Sequence, residues 1–158
     1  MTRILTVEDF GSAVGAGALI GLDPGTKTIG VAVSDERRTL ASPLETIWRK
    51  RLTDDLAHLR TIIDARKAAG LVVGMPLNMD GSAGPRAQSV RAFTRSLEDA
   101  FGLPVLQWDE RLSTYTADEA MKDAGVRRDK RAARIDSAAA SIILQGALDR
   151  MAADLTKG

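Results

Sequence analysis

The stretch Ala18-Leu19-Ile20-Gly21-Leu22-Asp23-Pro24-Gly25-Thr26-Lys27-Thr28-Ile29-Gly30-Val31-Ala32-Val33 decides how this chain folds. Two apolar runs flank a short polar turn, a pattern that predicts two strands joined in a hairpin. Asp23 stands where the first run ends, and Pro24 and Gly25 reverse the chain directly behind it. Asp before Pro-Gly is ordinary turn chemistry. A metal-binding or catalytic role for Asp23 therefore depends on partners supplied elsewhere in the chain.

Upstream, Met1 to Gly17 contains Gly11, Gly15 and Gly17, has no clear period and lacks the compact apolar core of a secretory leader. Residues 1–17 read as a flexible extension outside the fold. Downstream, Ser34 to Arg38 is a polar turn, and Thr39 to Ile47 predicts a third strand that Pro43 confines to an edge or to its own end. Three strands in succession without a helix make an antiparallel meander. Leu52, Leu56, Leu59, Ile62 and Ile63 then recur at helical spacing up to Gly70.

The run Leu71 to Met75 is apolar throughout, as a buried parallel strand should be, and a long polar loop from Pro76 to Pro85 follows. Val90, Phe93, Leu97, Ala100 and Phe101 define the next helix, which Gly102 closes, and Pro104 to Trp108 is a fifth strand with Trp108 in the core. A helix from Ser113 or Thr114 to about Asp123 and an Ala-rich helix from Ile135 to about Met151 complete the order. The expected architecture is α/β: a five-stranded mixed sheet, with a three-strand meander and two further parallel strands, flanked by helices. It forms a single domain over residues 18–153, with residues 154–158 as a tail.

A chain of 158 residues suits one hydrophobic core. It has no cysteine, which excludes disulfides, thiolate metal sites and a cysteine nucleophile. Its one histidine, His58, lies off the apolar stripe of its helix and reads as a surface residue. Any metal would be held by oxygen ligands, which favours Mg²⁺ or Mn²⁺. A net charge of +1 neither demands nor forbids a nucleic-acid partner. No apolar run reaches the ~18 residues of a membrane span, so the expectation is a cytoplasmic protein without a membrane partner.

Three carboxylates then stand out. Asp23 ends the first strand, Glu110 follows the fifth, and Asp136 opens the last helix. With right-handed crossovers the first, fourth and fifth strands are parallel, so Asp23 and Glu110 project from the edge where α/β sheets bind ligands. Three acids converging there repel one another unless a divalent cation sits between them, the arrangement used in two-metal phosphoryl transfer. Each acid also has a plainer reading: Asp23 as a turn residue, Asp136 as a helix cap, Glu110 as a surface partner of Arg111. Asp109 competes with Glu110, because adjacent strand residues face opposite sides.

The run Leu22 to Ala32 closely resembles the opening motif of the YqgF family, also called RuvX. Val72-Val73-Gly74-Met75-Pro76-Leu77-Asn78-Met79-Asp80-Gly81 resembles its second motif, Asp109-Glu110-Arg111-Leu112-Ser113-Thr114 its third and Ile135-Asp136-Ser137-Ala138-Ala139-Ala140 its fourth. All four stand in the family's order. The resemblance implies an RNase H-like fold and a nuclease with two divalent ions, Mg²⁺ or Mn²⁺, held by Asp23, Glu110 and Asp136. The favoured substrate is the 5′ end of the small-subunit (16S) ribosomal RNA precursor, in ribosome biogenesis. The alternatives are a Holliday junction resolvase acting on branched DNA, which would require a homodimer, and a non-catalytic binding module. In RuvC-type resolvases an acid is expected after the fourth strand; here that strand ends Gly74-Met75-Pro76, and the acid comes one strand later.

Lys27, Asn78, Arg86 and Arg111 are the candidate nucleic-acid contacts, with Arg91 and the Arg127 to Arg134 cluster near the same site in sequence order. Arg37, Arg38 and Arg49 to Arg51 read as solvated surface. Aromatic residues make up only 4% of the chain, which argues against base stacking as the main recognition mode.

Overall fold

The computed structural model describes residues 4–77, 80–112 and 128–157. Strand β1 (Ile4–Leu5) and helix α1 (Val7–Ala13) precede the hairpin of β2 (Leu19–Pro24) and β3 (Thr28–Ser34), and β4 (Ala41–Trp48) completes the meander. Helix α2 (Leu52–Arg66), β5 (Gly70–Met75), α3 (Pro85–Phe101) and β6 (Val105–Asp109) follow, then a 3₁₀ turn at Glu110–Leu112 and helix α4 (Arg128–Lys157). The order across the sheet is β1-β6-β5-β2-β3-β4. β2, β5 and β6 are parallel, while β3 and β4 run antiparallel on the other side of β2. The five expected strands are therefore present in the expected directions, and β1 adds a short sixth beside β6. Pro43 lies in the edge strand β4, close to a register shift between Val31 and Ala32.

Alternation along the strands divides the core between two faces. Ile20, Leu22, Val31, Leu71 and Val73 pack with Leu59, Ile63, Val90, Phe93 and Leu97 of α2 and α3. Leu19, Ala32, Val72 and Leu106 pack with Phe10 of α1 and with Ala140, Leu144 and Leu148 of α4. Fully burying each large side chain of this kind contributes ~1.5–3 kcal/mol.

The α4 face is smooth because small residues alternate with the buried ones. A Cβ on Gly21 would stand 2.7 Å from the Leu144 Cβ and 3.0 Å from the Ala140 carbonyl oxygen. One on Gly30 would fall on the Asp136 carbonyl. These glycines let the helix lie directly on the sheet, which brings Asp136 down to the strand ends.

Two readings of the chain ends are corrected. The first seventeen residues are not simply an extension outside the fold: Phe10 is fully buried, and β1 pairs with β6. A seven-residue helix with one buried side chain is too short to show a period; it is capped by Thr6, whose Oγ1 accepts from the Asp9 N–H at 3.1 Å. At the other end α4 continues to Lys157, so residues 154–157 prolong a helix. It also begins earlier than expected, at Arg128, which leaves Asp136 inside the helix and removes the capping reading.

Candidate active site

The parallel strands bring their carboxyl ends to one edge, and the site is built there. Asp23 shares the α4 face with Gly21, two residues earlier in β2. On β6 the same face carries Trp108, packed 3.0 Å from a Cβ built on Gly146, and then Glu110 at the start of the 3₁₀ turn. A Cβ on Gly74 would stand 2.8 Å from Glu110 Oε1 and 2.5 Å from Ile143 Cδ1. The strand end that carries no acid is thus the one that leaves room for Glu110.

Burial holds the Asp23 carboxyl well above its ordinary 3.8, at about 7. The negative charge of Glu110, a hydrogen bond to the Glu110 side chain and the charge of Asp136 push it the same way, while Arg86 opposes them. Close carboxylates of this kind oppose ionisation of the Asp23 carboxyl. Asp136 is held from the other side: Thr28 Oγ1 donates to its Oδ2 at 2.6 Å.

Asp109 points elsewhere. Its Oδ1 accepts the Arg111 N–H at 3.0 Å, and its carboxylate takes the Arg111 guanidinium through Nε at 3.0 Å and Nη2 at 2.5 Å. That pairing lowers the Asp109 pKa. Of the two adjacent acids, Glu110 is the one that meets Asp23.

Among the described residues, no three His, Cys, Asp or Glu side chains are drawn together as a ready-made metal centre. The donor set at the strand ends is nonetheless all oxygen, the type that suits a hard divalent cation. Repulsion from Glu110 and Asp136 contributes to the raised Asp23 pKa, and a bound cation would act in the opposite direction. The donor chemistry of Asp23, Glu110 and Asp136 is of the kind that suits such an ion.

The turn behind Asp23 is clamped by arginines. Its Gly25 N–H donates to the Thr28 carbonyl at 2.7 Å, and its outward carbonyls are taken by Arg86 Nη2 on Pro24 at 2.9 Å and Arg49 Nη1 on Gly25 at 2.7 Å. The Arg49 N–H also donates to the Lys27 carbonyl at 2.9 Å, and its guanidinium lies 5.3 Å from the Phe93 ring centroid. Reading Arg49 as solvated surface is therefore corrected, and so is Arg38, which donates to the carbonyls of Gly15 and Gly17. Nothing in the run Arg49-Lys50-Arg51 marked its first member, since a side chain that reaches a carbonyl in another turn leaves no local pattern.

The other expected contacts divide. Lys27 is exposed at the tip of the turn. Arg86 is exposed but tied to Pro24, and Arg111 is tied to Asp109, with its charge also acting on Asp80 in the preceding loop. Asn78, the Ser113 to Asp123 helix and Arg127 lie outside the described residues. His58 is a surface residue that meets Glu45.

The description of RuvX, a Holliday junction resolvase, matches residues 17–150. The chain belongs to the RuvX family. Among its relatives in that family, a Rhodobacter capsulatus protein named "Putative pre-16S rRNA nuclease" is 56% identical over 147 residues, covering 92% of each chain. One of the same name from Rhizobium rhizogenes is 53% identical over 150 residues, covering 94% of this chain and 92% of its own. The RuvX chain also shares its fold with solved resolvases. Yeast mitochondrial Holliday junction resolvase Ydc2 superposes with a TM-score of 0.59 at 12% identity, covering 96% of this chain and 86% of its own. Thermus thermophilus RuvC in complex with a Holliday junction substrate gives 0.54 at 15%, covering 85% and 96%. The RNase H-like architecture expected from the motifs is the one these RuvC-type proteins have.

Proposed function

We propose that this RuvX chain is a divalent-metal nuclease that hydrolyses phosphodiester bonds in the precursor of 16S ribosomal RNA, trimming its 5′ end. The observation that carries the chemistry is the Asp23 carboxyl hydrogen-bonded to the Glu110 side chain within the field of Asp136, at the strand edge where ligands enter. The substrate comes from the relatives more than half identical to this chain, whose names specify pre-16S rRNA.

Asp23, Glu110 and Asp136 would hold the ions, two of them, with Mg²⁺ or Mn²⁺ as the species that suit oxygen donors. When bound, such ions supply an activated water and stabilise the leaving oxygen. The chain's own residues arrange the rest. Thr28 fixes the Asp136 carboxylate, leaving its other oxygen for the site. Arg86 and Arg49 hold the turn from outside, so that the backbone beside Asp23 does not shift when a charged polymer arrives. Lys27, exposed at the tip of that turn, is placed to meet a backbone phosphate, and Arg111, next to Glu110 in the chain, and Asn78 are the further candidate contacts. With ribosomal RNA as substrate the protein works in the cytoplasm, and no described helix is long and apolar enough to cross a membrane.

The family's description favours one other reading, a resolvase cutting four-way DNA. That task needs two cuts related by symmetry, and hence a homodimer. The test is purified protein with Mg²⁺ or Mn²⁺ on two substrates, a 5′-extended 16S precursor and a four-way junction, combined with mapping of ribosomal RNA ends after depletion in cells. Precursor cleavage in vitro and unprocessed 5′ ends in cells are expected. Normal ends with junction cleavage would replace the RNA assignment by the DNA one.

A further inference from the structure

Trp48 is 60% exposed, whereas the other tryptophan, Trp108, is 6% exposed in the core. Its place in the sheet gives that exposure a meaning. Trp48 ends the edge strand β4 and pairs in register with Thr28 of β3. Directly opposed residues of an antiparallel pair share a face, and Thr28 points to the α4 face, where its hydroxyl holds Asp136. The Trp48 backbone thus lies about 5 Å, one strand spacing, from that of the residue that touches a candidate metal ligand, and its side chain leaves the sheet on the same face.

The surroundings suit a nucleotide. On the same face of β4 the preceding side chain is Thr46, opposite Gly30. The edge acid Glu45 faces the other side, where it meets His58 of α2. Lys50 and Arg51 follow Trp48 and are exposed, as is Lys27 in the neighbouring turn. A large aromatic face beside cations, at the rim of a site that takes a phosphodiester, is the combination that binds single-stranded nucleic acid: the cations track the backbone and the ring takes a base.

We propose that Trp48 is a stacking platform for an unpaired nucleotide flanking the cleaved phosphate, so that the substrate must be single-stranded on that side. The proposal rests on the nuclease reading above. It modifies the expectation that stacking plays little part: one aromatic residue is enough when it stands at the rim of the site.

The test uses the full chain carrying Asp23→Asn, so that bound RNA stays intact, titrated with a single-stranded RNA of twelve nucleotides and with a blunt RNA duplex. Single-stranded RNA is expected to quench the exposed tryptophan's emission and leave that of buried Trp108. Adding Trp48→Ala is expected to weaken single-strand binding roughly tenfold to a hundredfold, with Trp48→Phe restoring most of it. In protein with Asp23 intact, Trp48→Ala should raise KM with little change in kcat. Unchanged affinity in Trp48→Ala, or equal binding of duplex and single strand, would overturn the stacking role and leave the nuclease reading standing. Unchanged RNA affinity together with a concentration-dependent loss of self-association would make Trp48 a contact between copies and would equally overturn it. Wild-type protein that neither binds nor cuts RNA would overturn both.

Discussion

Replacing Asp23 by Asn is expected to abolish cleavage and, in the absence of metal, to make the protein more stable. The Asp23 carboxyl titrates near 7 when folded, against 3.8 as its ordinary value, chiefly because it is buried and then because Glu110 and Asp136 are negative. A raised acid pKa means that the native state holds more protons than the unfolded chain between those values. Stability therefore falls as pH rises through that window and stays low above it. The displacement corresponds to a ceiling of ~4 kcal/mol.

Asn removes the charge but keeps the shape. Because relaxation of the site and solvent penetration take up part of that ceiling, roughly 1–2 kcal/mol is the expected gain above pH 7. At this chain length that corresponds to a rise in Tm of roughly 3–8 °C. Thermal melts of both proteins in EDTA at pH 4, 6 and 8 measure it: the curves should nearly coincide at pH 4 and separate progressively to pH 8. Saturating Mg²⁺ should raise the wild type more than the variant, narrowing the gap. A variant that is less stable than the wild type at pH 8 in EDTA would refute the electrostatic account of the site, because Asp23 would then be contributing structure.

Three further outcomes follow from the packing. Gly30→Ala puts a methyl group on the Asp136 carbonyl, so it should cost about 1–3 kcal/mol in urea unfolding and reduce cleavage by displacing α4. Glu110→Gln should lower kcat by roughly two orders of magnitude or more, whereas Asp109→Asn, which loosens only the Arg111 pair, should leave most activity; the reverse order would exchange their roles. Phe10→Ala should lose about 3–5 kcal/mol by chemical denaturation, and a loss under ~1 kcal/mol would return the N-terminal segment to the status of an appendage.

The meander was legible because its strands are short apolar runs broken by turn residues. β5 and β6 were legible because parallel strands buried on both faces need continuous apolar sequence. Helix α1 was not legible, since Phe10 is the one side chain it buries fully, and most of the residues Phe10 packs with lie far along the chain. The last helix was read too short at both ends because its start and finish are charged, and charge along a helix obscures the apolar stripe.

Of the site, the three candidate acids could be picked out from motif and element order, which are properties of the chain, but the expectation that Asp136 opens the last helix could not survive a helix that begins at Arg128. Which of Asp109 and Glu110 turns toward Asp23 could not be read. That depends on the strand ending at Asp109 and on Gly74 leaving room across β5. The same holds for Arg49, whose partner is a carbonyl 24 residues away, and for Trp48, whose value lies in its register with Thr28. The sequence by itself determined the strands, the turn behind Asp23 and the supply of carboxylates, because propensity and period act over a few residues. Only the tertiary structure decided which side chains meet, because facing and proximity arise from register across the sheet and from how closely α4 can approach it.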